Sequence, residues 1–260
     1  MGKNVKVLEK AFYILGQLKD ENTLSLNEIA ERTAIPKPTA SRILDTMQTL
    51  GYIEQDSITQ RFQLGGNFLS LAKKSNGSSD VTVIADPFMK KLHGLFGETV
   101  NLGRLHDTQI VYVRILESEN AFRISDNIGD RASIHSTAMG KAIGAFLPEE
   151  KRNELIGNCS FVKFTRKTIL DEQSLRRHLV LVKQHGYAMD SEEGHDGVIC
   201  VGAPIFNKEN FPFAAISISM PKVRAKKNVL QNIIRELQKT SIQISLELGV
   251  TDIRKCLDQS

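Results

Sequence analysis

Apolar residues first recur at helical spacing. Val5, Leu8, Ala11, Phe12, Leu15 and Leu18 form a stripe that predicts an opening helix with one face against a small core. Ser25 followed by Glu28 has capping-box spacing, in which the two side chains satisfy free amides of a first turn, so a second helix starts there and buries Leu26, Ile29 and Ala30. After Thr33-Ala-Ile-Pro36, a third helix from about Pro38 to Leu50 turns Ala40, Ile43, Leu44, Met47 and Leu50 inward and stops at Gly51, a residue suited to a left-handed exit. Tyr52-Ile-Glu-Gln55 and Arg61-Phe-Gln-Leu64 flank the polar Asp56-Ser-Ile-Thr-Gln60 and predict a hairpin. Helix, helix-turn-helix and hairpin in that order describe a winged helix.

Gly65-Gly66 closes the hairpin. Phe68, Leu69 and Ala72 suggest a short connecting helix, and Lys73-Lys-Ser-Asn-Gly-Ser-Ser79 has linker composition, so the boundary falls near Asp80. Beyond it a helix through Phe88, Leu92 and Leu95 leads into alternating runs at 99–105, 109–116 and 121–125, the pattern of an antiparallel sheet. Strands and helices are grouped and not strictly alternated, which predicts an α+β class. A helix to about Leu147 follows Gly129–Lys141, capped by Ser136 or Thr137, and its start would aim the amides of Ala138 and Met139 at an anion. In Gly186-Tyr-Ala-Met-Asp190-Ser-Glu-Glu193 and Cys200-Val-Gly-Ala-Pro-Ile-Phe-Asn207, apolar residues bury one face of two strands while Asp190 and Cys200 place polar atoms away from bulk water. The strand Phe213–Met220 puts Ser217 and Ser219 on one face through its period of two. One carboxyl, one thiol and two hydroxyls converge there. A last amphipathic helix, with Val229, Ile233, Leu237, Ile244 and Leu248, packs on the sheet.

Composition narrows the function classes. The 260 residues suffice for two cores. Apolar runs are too short to span a bilayer and the N-terminus has no secretory h-region, so the expectation is a cytoplasmic protein with no membrane role. Cys159, Cys200 and Cys256 lack CxxC spacing and read as free thiols. The histidines show no HExxH spacing, so neither a metal nor any other cofactor is expected, and His195 with Asp196 reads as a turn. Lys222–Lys227 reads as a solvated helix start. A formal charge of +4 permits nucleic-acid contact without requiring it. The first 80 residues hold nearly equal numbers of basic and acidic side chains.

Two segments carry a family likeness. Gly186, Asp190 and Glu193 followed by Cys200-Val-Gly and Ile205-Phe-Asn207, together with Glu28-Ile-Ala, Pro36-Lys-Pro-Thr39-Ala-Ser-Arg42-Ile-Leu and Gly51-Tyr-Ile, resemble the IclR family of bacterial transcription regulators from about Val5 to Gly249. The resemblance implies a winged helix-turn-helix at 1–64, a linker helix at 65–80, a GAF/PAS-like effector-binding and oligomerisation domain at 81–250, and a tail at 251–260. It implies that the third helix enters the major groove of operator DNA, with Lys37, Thr39, Ser41 and Arg42 at its exposed start and Arg61 near phosphates. It also implies that Ala138, Met139, Asp190, Cys200, Ser217 and Ser219 line an effector pocket. Helix amides and hydroxyls suit the carboxylate of a small organic acid, a 2-oxo acid or sugar acid, with Asp190 accepting from a hydroxyl. The near-neutral first domain implies pairing as a homodimer or homotetramer. The implied function is a ligand-responsive regulator, by family habit a repressor of a carbon-catabolism operon, and no enzyme. Two other classes are a cysteine enzyme using Cys200, for which sequence places no base nearby, and a constitutive DNA-binding protein whose second domain only dimerises.

Overall fold

In the computed structural model the described residues are 5–21, 23–68, 71, 81–121 and 126–257. The chain divides into two compact units, Met1–Ser78 and Ser79–Ser260. In the first, α1 (Lys6–Asp20), α2 (Leu26–Thr33) and α3 (Lys37–Thr49) precede the antiparallel pair β1 (Ile53–Gln55) and β2 (Phe62–Leu64). The expected capping box is present: Ser25 Oγ accepts from Glu28 N at 3.3 Å, and Ser25 N donates to Glu28 Oε2 at 2.7 Å. Its partner bonds hold the Glu28 carboxyl down at about 2, the Ser25 amide first among them. Arg61 reaches back from the hairpin, donating to Thr23 Oγ1 at 3.0 Å and pairing with Glu28 at 3.0 Å. The wing is thereby tied to the start of α2.

The first helix covers only part of the expected stripe: Ala11 and Leu15 are half-buried against the core beside Leu18. Ile14 and Leu18 are buried, whereas Val5, Leu8 and Phe12 remain 57%, 56% and 69% exposed. Two short helices and a hairpin form a core only wide enough to cover the i, i+4 seam at the end of α1, and Ile29, Ile43, Leu44, Ile53 and Phe62 fill it. Leu50 is likewise exposed, because α3 has already ended and Gly51, at φ +72°, turns the chain away.

The second unit is a six-stranded antiparallel sheet in the order β5-β4-β3-β8-β7-β6. Its strands are β3 (Thr99–His106), β4 (Gln109–Leu116), β5 (Arg131–Ser133), β6 (Ala188–Ser191), β7 (Val198–Phe206) and β8 (Pro212–Pro221). One face packs on α4 (Val81–Phe96) and α8 (Lys227–Glu247) through Val81, Ala85, Met89, Ile233, Leu237 and Ile244, so Leu92 belongs to that face while Leu95 stays exposed. The other face carries α5 (Ala138–Phe146), α6 (Glu149–Gly157) and α7 (Glu172–His185), and α9 (Ile253–Leu257) adds Cys256 to that core. The architecture is α+β, as the grouping of strands and helices predicts.

Some expectations fall elsewhere. Of the run at 121–125 only Ala121 lies within the described residues, and of Phe68, Leu69 and Ala72 only Phe68 does. β5, α6 and α7 have no counterpart in the sequence reading. The basic run is a solvated helix start only at its end, where exposed Lys226 and Lys227 open α8; Lys222–Arg224 forms a 3-10 turn whose Lys222 meets Glu192 at 2.8 Å and whose Arg224 meets Glu98 at 2.7 Å.

Ser25→Ala should lower the thermal stability of the first unit by about 1 kcal/mol, since it removes one half of a two-bond cap. A denaturation scan matching wild type would remove the box from the account of how α2 begins.

Candidate functional site

Sheet register builds one wall of a cavity. Asp190 on β6 lies directly opposite Cys200 on β7, and Cys200 opposite Ser219 on β8. One step along, Gly202 lies opposite Ser217, and Ser217 opposite Asn101 on β3. Directly paired residues share a face with Cβ atoms about 5 Å apart, so these polar atoms form two short rows. Ser219 bonds to the Cys200 thiol and accepts from Asn101 Nδ2 at 3.1 Å. The rest of that face is apolar, with Ala215, Phe206 and Ala188 in the core beneath α5.

The start of α5 forms the second wall. Thr137 caps the helix, its Oγ1 accepting from Gly140 N at 3.1 Å and donating to Ser133 O at 2.9 Å. Earlier amides of a first turn have no intrahelical acceptor, so those of Ala138 and Met139 are left for another partner. Two close approaches press this turn onto the sheet. A Cβ at Gly202 would lie 2.8 Å from the carbonyl carbon of Ala138, and one at Gly140 would lie 2.4 Å from Ile134 Cα. Only glycine admits that contact at either place.

A buried ion pair joins the two walls. Lys141 is wholly buried, and its Nζ pairs with the Glu193 carboxylate. Glu193 N in turn donates to Asp190 Oδ1 at 2.6 Å. Thr165 Oγ1 and Thr168 Oγ1 donate to the carbonyls of Glu192 and Glu193, both at 2.7 Å. The Glu192 carboxyl, held down at about 2 by Lys167 and Lys222, pins the outside of the same turn. Buried His135 bonds Val162 O through Nε2 at 2.9 Å, takes the Cys159 thiol at Nδ1 at 3.4 Å, and stacks on Phe164.

The resulting cavity has a volume of about 350 Å³. All six residues expected at the pocket, Ala138, Met139, Asp190, Cys200, Ser217 and Ser219, line it. Sequence reasoning missed Tyr112, Asp126, Asp130, Phe164 and His195, which line it too. Those positions are scattered over three loops and a strand, and only the fold brings them together. His195, read as a turn residue, does close a turn by accepting from Val198 N at 3.3 Å, and it also reaches the cavity. Burial pushes the Asp190 carboxyl up to about 6 and the Cys200 thiol well above its ordinary range. A thiol so shifted stays protonated, the form that is the poorer nucleophile. Among the described residues there is no cluster of side chains able to hold a metal ion, and no helix long and apolar enough to cross a membrane.

In the first unit, Lys37 and Arg42 are exposed on α3, and Thr39 and Ser41 are half-buried there. Thr39 and Arg42 share with Thr46 the side of α3 beside an apolar groove along α1. Arg61 differs from these four, its guanidinium being engaged by Glu28 and Thr23.

A winged helix joined in one chain to a unit with a cavity of small-molecule size defines a DNA-binding transcriptional regulator. Residues 7–57 match the IclR helix-turn-helix domain and residues 74–246 match the bacterial transcriptional regulator IclR C-terminal domain, so the chain belongs to the IclR family. It is 32% identical over 249 residues to the HTH-type transcriptional regulator KdgR of Dickeya chrysanthemi, covering 96% of this chain and 82% of that one. It is 31% identical to the HTH-type transcriptional regulator XynR of Escherichia coli K12, covering 94% and 98%. The Thermotoga maritima IclR crystal structure superposes with a TM-score of 0.82 at 28% identity, covering 95% of this chain and 100% of that one. These relatives carry the names of regulators, and the chain is a regulator and not an enzyme.

Asp190 makes the unliganded protein pH-sensitive. Its folded value of about 6 exceeds the ordinary 3.8, so between those values the folded state holds the proton more readily than the unfolded one. Stability from this group is therefore lost as pH rises through that window. Asp190→Asn should relieve up to about 3 kcal/mol at pH 8 and almost nothing at about pH 3. Denaturant unfolding at both pH values tests this, and an equal effect at both would contradict the assignment.

Proposed function

We propose that the cavity of the second unit binds a small organic acid and that this binding alters operator occupancy by the first unit. The observation that carries the reading is the meeting, in one cavity, of the α5 start with the hydroxyls of Ser217 and Ser219 and the carboxyl of Asp190. Helix amides and hydroxyls donate to a carboxylate. Asp190 accepts from a hydroxyl on the same ligand or on its hydrated carbonyl. The ligand is a 2-oxo acid or a sugar acid, and the protein acts as a repressor in the cytoplasm, where its operator lies. AllR of Escherichia coli, 29% identical, is named a transcriptional repressor.

DNA contact is assigned to the start of α3, with Lys37, Thr39, Ser41 and Arg42. Arg61 orders the wing more than it reaches for phosphate. A unit whose charges nearly cancel binds weakly alone, so two or four copies act on a two-fold site.

Cys200→Ala and Ser217→Ala should each keep operator binding while weakening the effector roughly ten- to a hundredfold, the effect of losing about 1.5–3 kcal/mol of hydrogen bonding to a charged ligand. Calorimetric titration with small 2-oxo and sugar acids, run beside operator gel shifts, measures both. Wild type that binds operator but no organic acid would instead support a constitutive DNA-binding protein. Arg42→Ala should weaken specific binding by about 1–3 kcal/mol, and an unchanged affinity and salt slope would move the DNA contact off this face of α3.

A further inference from the structure

A second concave site in the same unit shares no lining residue with the cavity between α5 and the sheet. It is a cleft of about 460 Å³ where α6 and α7 meet. Arg176, Lys183 and Gln184 recur at i, i+7 and i+8 along α7, so that helix presents all three to the cleft. Arg152 reaches it from α6, and buried Ala145 and Leu179 form its floor. Ala145 stands about two turns along α5 from Ala138, so one helix serves the cavity at its start and the cleft near its end.

The cleft gathers cations without acids. No acidic side chain lines it. The Arg176 guanidinium is already engaged, with Nη2 at 2.7 Å from Glu172 Oε1 and Nη1 donating to Asn153 Oδ1 at 2.7 Å. Arg152 Nη1 meets a neutral acceptor, Leu147 O, at 3.4 Å, and among the described residues no carboxylate pairs with Arg152 or Lys183. Lys151, beside Arg152 on α6, differs in meeting Glu154 Oε2 at 2.9 Å. Burial lowers the Lys183 ammonium below its ordinary value, and the charge on Arg152 lowers it further. Both side chains are half-buried, so water and salt screen them less than exposed cations. Like charges held in a concavity without a counter-ion repel each other and attract an anion.

Charge and donor count select the kind of anion. A lone carboxylate would neutralise one of the two unpaired cations. A phosphate monoester carries about −1.5 to −2 near neutral pH and offers three acceptor oxygens. Those oxygens suit the planar fork of Arg152, the ammonium of Lys183 and the side-chain amide of Gln184. At about 30 Å³ for a water-sized group the cleft takes roughly fifteen non-hydrogen atoms, of which a phosphate group supplies about a third.

We propose that Arg152, Lys183 and Gln184 form an anion site for a small phosphate monoester, whose organic part lies on the apolar floor of Ala145 and Leu179.

The test is calorimetric titration of the full chain, at constant ionic strength and near neutral pH, with phenyl phosphate, phenyl sulfate and inorganic phosphate. Phenyl phosphate should bind roughly tenfold or more tightly than phenyl sulfate, which has the same body and a single charge. It should exceed inorganic phosphate by a similar factor, since only the ester covers the floor. Arg152→Gln and Lys183→Gln should each weaken phenyl phosphate roughly tenfold, the effect of one charged hydrogen bond, whereas Lys151→Gln should stay within about twofold of wild type. Lys183→Gln also removes a like charge from the cleft, so its folding is not at risk. Wild type that does not bind phenyl phosphate, or binds phenyl sulfate or inorganic phosphate as tightly, would overturn the proposal. So would a loss in Lys151→Gln equal to that in Lys183→Gln, which would trace the binding to general surface charge. Phenyl phosphate bound equally by both cleft variants and wild type would put the ligand elsewhere and overturn it as well.

Discussion

The ion pair between Lys141 and Glu193 is the constraint on which the cavity depends. Both groups are buried, and taking each ion out of water costs several kcal/mol. Mutual attraction offsets this only when geometry is fixed, so α5 and the turn after β6 must be held in one relation. That relation places the amides of Ala138 and Met139 across from Asp190. Glu193 serves twice, since its carboxylate meets Lys141 and its amide positions Asp190. Loss of one partner would leave an unpaired charge in the interior, an effect of about 3–5 kcal/mol. An apolar pair of the same volume would hold the helix without that penalty and would keep the backbone amide at position 193 that meets Asp190.

Backbone proximity does the remaining work of bringing the walls together. Gly202 lets the first turn of α5 lie on β7 at a distance no side chain would permit, and Gly140 does the same against Ile134. All nine residues of α5 are buried, so the helix has no solvated face along which to shift. Its start is then a fixed dipole end beside two hydroxyls. Preorganised donors of this kind favour an anion without reorganisation when it enters.

Much of this was legible from residue spacing. The period of two set Ser217 and Ser219 on one face, and the i, i+3 spacing of Ser25 and Glu28 located the start of α2. The register that places Cys200 opposite Ser219 needs only a tight connection between the two strands, and the sequence from Asn207 to Phe211 supplies it. What was not legible depends on distant partners. The burial of Lys141 has no signal in its own segment, because its partner Glu193 lies far along the chain. Tyr112, Asp126 and His195 share no spacing at all. The stripe on α1 is covered only at Ala11, Leu15 and Leu18, because helical periodicity shows that a face is apolar, not how much core there is to cover it.

The same limit bears on the DNA-binding half. Net charge suggests little affinity, and Arg61, one of the cations expected near phosphate, is engaged by Glu28. The cations left on α3 are Lys37 and Arg42, with Asp45 on the same helix. Two cations release few counterions, so a lone unit gains little from the phosphate backbone. Under the proposed pairing, two weak contacts act together on the operator, and their spacing is the quantity that the proposed ligand would change. On that proposal a strongly basic domain is not required, because weak single contacts would make occupancy depend on how two copies are held.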